Sequence, residues 1–327
     1  AFSMNVANLR IRRCRSVWKN TSRNSGLSVN VEFFTCDVFT RHRFGGNQLA
    51  VIPDARGLSP EHMQNIAREF NYSETTFVLP PEKRHDRKVR IFTPAREVPF
   101  AGHPNIGTAF VLASNGLLGD LTGDSVVTFE EEAGIVEVSI VRTEDSRLWC
   151  ELLAPQGLNI GKVVMPELAA PALSLDVADI NLGVHPPCVA GVGLPFLIVE
   201  LASQDALERA SFNTSVMKAL ASKAIPPDIL LYVQSSGKAD INARMFAPLD
   251  GVPEDPATGS ANCALAALLT HHDPADSGEF SWTISQGVEM GRPSILKART
   301  HKSGGSVTAT RIGGDCVMVS RGEILLP

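Results

Sequence analysis

Residues 90–109 read RIFTPAREVPFAGHPNIGTA, and residues 244–261 read RMFAPLDGVPEDPATGSA. A shift of 154 positions places Arg90 on Arg244, Phe92 on Phe246, Pro94 on Pro248, Val98 on Val252 and Pro99 on Pro253. Further upstream the same shift brings Met63 onto Met217, Ala67 onto Ala221 and Glu74 onto Asp228. After an adjustment of two residues, HPNIGTA (103–109) lies on DPATGSA (255–261). The chain therefore reads as two similar halves of a pseudo-twofold molecule.

The patterns around these stretches recur in the same order. In the first half LSPEHMQNIAREF has Ser59 as N-cap, Pro60 at the first helical position, and Met63, Ile66, Ala67 and Phe70 at helical spacing. Strand-like SETTFVL and VRIFTP follow, then the helix-like GTAFVLASNG ending at Gly116, then VVTFEE and IVEVSIVR as a hairpin about Ala133-Gly134. The second half gives strand-like LPFLIVELA, helix-like SFNTSVMKALASKA, strands DILLYVQ and ARMFAP, and the apolar helix ANCALAALL. His103-Pro104 and Asp255-Pro256 stand in this reading at equivalent helix entrances, with Thr or Ser as caps and Gly allowing close approach. Helix N-termini carry free N–H groups and partial positive charge, so two of them facing one cleft predict a site for a small anionic substrate, a carboxylate above all.

Length and composition fit this reading. A chain of 327 residues suits two domains of roughly 150 residues each. We expect a basic extension over 1–28, a first domain over 29–145 and a second over 146–327. Residues 1–31 hold six basic side chains and no acid, which leaves 24 basic against 35 acidic residues in the remainder. Such an acidic body argues against nucleic acid as a partner. The basic extension reads as an organellar targeting segment, a mis-assigned start or an expression remnant before Met4, and it lacks the apolar core of a secretory signal. No stretch approaches the ~18 apolar residues of a membrane span, so neither a membrane partner nor a secreted location is expected, and the body reads as cytoplasmic. The six cysteines are scattered without C-x-x-C spacing, which predicts reduced core thiols and no metal site.

The words DVFT, GNQLAV, SETTFV, RIFTP and FAGHP occur in that order in the first half, and RMFAP and EDPATGSAN follow in the second. Together, from about Val31 to about Leu269, they resemble the phenazine-biosynthesis PhzF-like isomerases, of the diaminopimelate epimerase-like fold. The resemblance implies an α+β fold of two pseudo-symmetric domains, each a curved, mostly antiparallel, barrel-like sheet around a central helix. It implies an active site in the cleft between them, a homodimer, and a C-terminal strand, here EILLP, that returns to the first domain. By the same resemblance Glu74 in SETTF matches the catalytic general base and acid, and His103, Asp255 and Ser260 match its polar partners. Gly102 and Gly259 match glycines whose backbones contact the substrate. The reaction needs no cofactor and no metal. A buried carboxylate near two carbons can take a proton from one and return it to the other.

Other classes fit less well. Racemases of the same fold use two thiols, and no cysteine falls in HPNIG or DPATG; a racemase or epimerase using non-thiol bases and a non-catalytic binding protein remain the alternatives. No G-x-S-x-G marks a hydrolase, GVGLPF (191–196) lacks the third glycine of a dinucleotide fingerprint, and His271-His272 lacks the spacing of two ligands on one helical face. Asp228, the repeat partner of Glu74, is expected to be structural. Glu254 is expected to point away from the site.

Overall fold

The computed structural model describes residues 30–119, 121 and 123–326, so the basic segment 1–28 lies outside the described residues. The first half runs β1 (Asn30–Val38), β2 (Asn47–Ile52), α1 (Pro60–Phe70), β3 (Glu74–Leu79), β4 (Arg87–Phe92), β5 (Glu97–Val98), α2 (Gly102–Ser114), β6 (Ser125–Glu131), β7 (Gly134–Arg142) and β8 (Leu148–Leu153). The second runs β9 (Asn159–Val163), α3 (Pro166–Ala172), β10 (Cys188–Gly191), β11 (Pro195–Glu200), α4 (Gln204–Arg209), α5 (Thr214–Ser222), β12 (Ile229–Gln234), β13 (Ile241–Ala247) and β14 (Val252–Asp255). It ends with α6 (Gly259–His272), β15 (Gly278–Gln286), β16 (Ser294–Ser303) and β17 (Ser306–Leu325).

Alternation decides which side chains enter each core. In β7, Val136, Val138 and Ile140 are buried while Glu137 faces outward. In the first half β1 pairs with β2, β2 with β3, β3 with β4, β4 with β6, β6 with β7 and β7 with β8. β17 then pairs with both β8 and β1, which closes an eight-stranded barrel. This barrel takes in β8, past residue 145. In the second half β11–β12 and β13–β15 are parallel, as β2–β3 and β4–β6 are in the first.

The two halves agree in register as well as in order. Thr75 stands opposite Phe92 and Thr76 opposite Ile91, and the shift of 154 turns these pairs into Ile229 opposite Phe246 and Leu230 opposite Met245. Arg90 bonds Glu97 at 2.6 Å and lies 5.1 Å from the Phe92 ring; Arg244 bonds Glu254 at 2.8 Å and lies 4.9 Å from the Phe246 ring. An Arg–aromatic contact of this kind is worth about 0.5–2 kcal/mol. Glu254 thus points away from the cleft entrance and into this pair.

Each core helix is buried all round. Gly102 through Leu112 of α2 and Gly259 through Thr270 of α6 are all buried, so neither helix has a polar face, and small residues let the sheet close around them. At Gly107 an added Cβ would lie 2.5 Å from Leu49 Cδ2 and 2.8 Å from Val38 Cγ2. Side chains such as Ile106 and Leu112 contribute about 1.5–3 kcal/mol each by this burial. The architecture is the strand-rich α+β arrangement that the resemblance implies.

Two expectations are corrected. The alignment of His103-Pro104 with Asp255-Pro256 is out of step, because α2 begins at Gly102 and α6 at Gly259. Pro104 lies within its helix whereas Pro256 lies before its own, so the shared proline misled the match. The structural partner of His103 is Ser260, and the second half carries three more residues between Val252 and Gly259 than the first has between Val98 and Gly102. Asp255 stands in that excess. Nor do side chains cap these helices: Ala101 and Thr258 hold the N-cap positions and neither makes a side-chain cap bond. The Thr258 hydroxyl is drawn instead to the Asp255 carboxylate, 2.6 Å away.

Candidate active site

The uncapped N-termini of α2 and α6 abut. A Cβ on Gly102 would lie 2.8 Å from Ser260 N and 3.1 Å from Gly259 C, and a Cβ on Gly259 would lie 3.3 Å from His103 N. Neither helix has an acidic residue in its first turn. Two positive helix ends and their free N–H groups therefore converge on one place, each with a glycine that lets backbone approach backbone.

Glu74 reaches this place from the start of β3. Helix α1 ends at Asn71 in the left-handed conformation (φ 53°), and the chain turns there so that Ser73 and Glu74 arrive at the helix ends together. Glu74 Oε2 lies 3.5 Å from Nε2 of His103, the second residue of α2. Both atoms are buried and neither makes a hydrogen bond. Burial, together with the charges of Asp255 and Asp250, pushes the Glu74 carboxyl well above the usual range. Burial also lowers the His103 imidazole to about 4, against the opposing pull of Asp255 and the Gln48 carbonyl. At neutral pH the ring is therefore uncharged, and Glu74 is a group that holds its proton with unusual strength.

Asp255 arrives from the second half at the end of β14. Its Oδ1 accepts from Asn47 Nδ2 and Ser73 Oγ, each at 2.9 Å, and its Oδ2 from the Thr258 hydroxyl. Gln286 holds the loop behind it, donating to the Asp255 carbonyl at 2.7 Å and accepting from Thr258 N and Asn262. Asn47 Nδ2 also lies 2.9 Å from the Ala257 carbonyl and 3.2 Å from His103 Nδ1. All six residues singled out in the sequence, Glu74, Gly102, His103, Asp255, Gly259 and Ser260, thus lie around the abutting helix ends.

Asn47 and Ser73 were not singled out, yet they tie the halves together. Asn47 follows Gly45-Gly46 and reads as a turn residue, although it lies within GNQLAV; Ser73 directly precedes Glu74 and offered no signal of its own. Asp228, the repeat partner of Glu74, is a partly buried acid immediately before β12. Its Oδ1 is buried without a hydrogen-bond partner, and burial and Asp250, opposed by Arg96, push its carboxyl up to about 7. Arg96 and Asp250, themselves partners under the shift of 154, meet at 3.2 Å between the halves. This pair is exposed and contributes little to stability.

Thiol chemistry finds no support among the described cysteines. Cys36, Cys150, Cys188 and Cys263 are buried, and burial pushes their thiols up, that of Cys188 to about 11. No group of three or more potential metal ligands occurs among the described residues. No described helix is long and apolar enough to cross a membrane.

Comparison with known proteins places this geometry in a wider set. The profile of the family described as "Phenazine biosynthesis-like protein" matches residues 36–322. An uncharacterized isomerase of Mesorhizobium japonicum is 36% identical over 297 residues, covering 89% of this chain and 97% of the relative. The trans-2,3-dihydro-3-hydroxyanthranilate isomerase of Pseudomonas aeruginosa is 33% identical over 294 residues, covering 90% and 99%. Among solved structures, a phenazine biosynthesis protein of the PhzF family from Bacillus anthracis superposes with a TM-score of 0.81 at 26% identity, covering 91% of this chain and all of that one.

Proposed function

The chain belongs to the phenazine biosynthesis-like family and is an isomerase, and we propose that it works without a cofactor, moving a proton between two carbons of a small carboxylate substrate through Glu74. The observation that carries this reading is the pair of buried atoms, Glu74 Oε2 and His103 Nε2, facing each other at 3.5 Å beside the abutting helix ends.

In this scheme the substrate carboxylate lies at the N-termini of α2 and α6, held by backbone N–H groups near Gly102 and Gly259 and by the Ser260 hydroxyl. The ionised Glu74 carboxylate takes a proton from a C–H bond, and the electron pair left behind spreads into the adjacent unsaturated system. The protonated Glu74 then delivers the same proton to a second carbon, so that substrate and product differ only in the placement of a double bond. A carboxyl that binds its proton tightly is suited to both halves of this cycle, since it is a stronger base than an exposed glutamate. His103 and Asp255 position a polar substituent beside the reacting carbons. Positioned proton transfer of this kind is typically worth about 10²–10⁴ in rate.

The relative from Pseudomonas aeruginosa supplies the first compound to try. The protein is incubated with trans-2,3-dihydro-3-hydroxyanthranilate and related unsaturated amino and hydroxy acids in deuterium oxide, and C–H exchange is followed by NMR. Exchange that depends on Glu74 supports the reading; exchange that persists in Glu74→Gln removes Glu74 as the base. We also propose a homodimer in the cytoplasm, which light scattering and fractionation of the source cells would test.

A further inference from the structure

We infer that Asn47 is a positioning residue that fixes the proton of the neutral His103 ring on Nε2, the nitrogen that faces Glu74. The inference rests on the proposed function only for its catalytic consequence, because the position of the proton is a property of the free protein.

Asn47 is buried at the start of β2, and its Nδ2 is surrounded by three groups: Asp255 Oδ1 and the Ala257 carbonyl, each at 2.9 Å, and His103 Nδ1 at 3.2 Å. Two of these are oxygens that only accept, so the amide must present its NH₂ to them and cannot be turned over. The amide oxygen is correspondingly buried without a partner. His103 Nδ1 therefore looks at a donor. A hydrogen on Nδ1 would set N–H against N–H at 3.2 Å, whereas a bare Nδ1 shares one of the two amide hydrogens with an oxygen in a three-centre bond.

Burial keeps the ring neutral, so a bare Nδ1 leaves the hydrogen on Nε2. That atom lies 3.5 Å from Glu74 Oε2. The ring then offers an N–H, not a lone pair, to the catalytic carboxylate and to whatever binds beside it. A substrate oxygen would be met by a donor, and Glu74 would remain the stronger base in the cleft. One group competes for the ring: the Gln48 carbonyl, which favours a proton on the imidazole. If it captured a hydrogen on Nδ1, Nε2 would become a lone pair and the two sides of the site would both be acceptors. Asn47 also reaches across the halves, so the same amide that sets the His103 proton clamps Asp255.

The test reads the tautomer directly. Protein labelled with ¹⁵N-histidine is examined by long-range ¹H–¹⁵N NMR at neutral pH, with His103→Gln used to assign the His103 signals. The expected spectrum has His103 protonated on Nε2 and bare at Nδ1. In Asn47→Asp a carboxylate replaces the amide, and the expected result is protonation of Nδ1, with the Nε2 signal changing accordingly. If that variant fails to fold beside Asp255, Asn47→Ala serves, with the expected result that the Gln48 carbonyl takes over and Nδ1 gains the proton. Wild-type protein with the hydrogen on Nδ1, or a His103 tautomer unmoved in a folded variant, overturns the inference. With the dihydro-hydroxyanthranilate as probe, kcat is expected to drop about 10²-fold in a folded variant while KM changes less. Absence of exchange in the wild-type protein with every carboxylate tried would count against the proposed function and leave the tautomer result standing.

Discussion

Adding a single carbon at Gly102 tests whether the two helix ends must touch. In Gly102→Ala the new Cβ would lie 2.8 Å from Ser260 N, 3.1 Å from Gly259 C and 3.2 Å from Gly259 Cα, where ordinary contact begins at 3.4 Å. All three atoms are backbone at the start of a buried helix, so no side chain can rotate out of the way. The start of α6 must retreat from α2 by roughly half an ångström, an overpacking that typically costs about 1–3 kcal/mol. Since a misplacement of about 1 Å can cost 10²-fold in rate, half of that predicts a loss of about tenfold. Proton exchange into the dihydro-hydroxyanthranilate is the rate assay, and urea unfolding gives the stability. Gly157→Ala is the control, since nothing lies within 4 Å of its added Cβ. A Gly102→Ala protein with unchanged exchange and an unchanged urea midpoint would refute the idea that substrate is held where the helix ends meet.

Three further outcomes are expected. Glu74→Gln should lower proton exchange at least 10²-fold and make the protein more stable at neutral pH. The sign follows from the raised carboxyl of Glu74: the folded state holds that proton more tightly than the unfolded chain, so its contribution is full below about pH 4 and is lost as pH rises through the folded value, a loss that glutamine abolishes and urea midpoints measured against pH will report. Asp228→Asn should flatten the same curve in a defined window, between about pH 4 and the folded value of about 7, where wild-type stability falls as pH rises. Arg244→Leu should cost about 3–5 kcal/mol by leaving Glu254 without its bidentate partner and the Leu207 and Ala210 carbonyls without a donor, as thermal unfolding would show.

Much of the architecture was legible because the repeat is a statement about strands. Arg90, Phe92 and Pro94 recur at Arg244, Phe246 and Pro248 because the same guanidinium lies on the same aromatic ring and the same strand pair stops at the same proline. The helix α1 was legible from its cap, Ser59, which accepts from His62 N as expected. Where the reading slipped, the cause was local: Pro104 and Pro256 look alike in sequence, but three additional residues in the second half leave Asp255 at the end of β14, four positions before α6 begins. The candidate site residues Glu74 and His103 were visible through the words around them, whereas Asn47 was not, because a buried amide after two glycines looks the same as a turn. Its importance lies in contacts with residues 56, 208 and 210 positions away in the chain, which no local pattern encodes.

The long strand β17 belongs to both halves. Lys297 to Ser303 of β16 pair with its first part, while its last residues, Cys316 to Leu325, lie along β1 from Val38 back to Asn30. A nascent chain leaving the ribosome can therefore form most of its first barrel early, but cannot shut it until β17 has been made. Until then β1 waits as an unpaired edge for residues almost 300 positions downstream and β8 for residues about 160 downstream, a long closure that slows folding and invites adhesion between chains. Neither half is expected to fold when the gene is cut in two, and a permuted gene that joins β17 to the front of β1 should fold faster than the natural order.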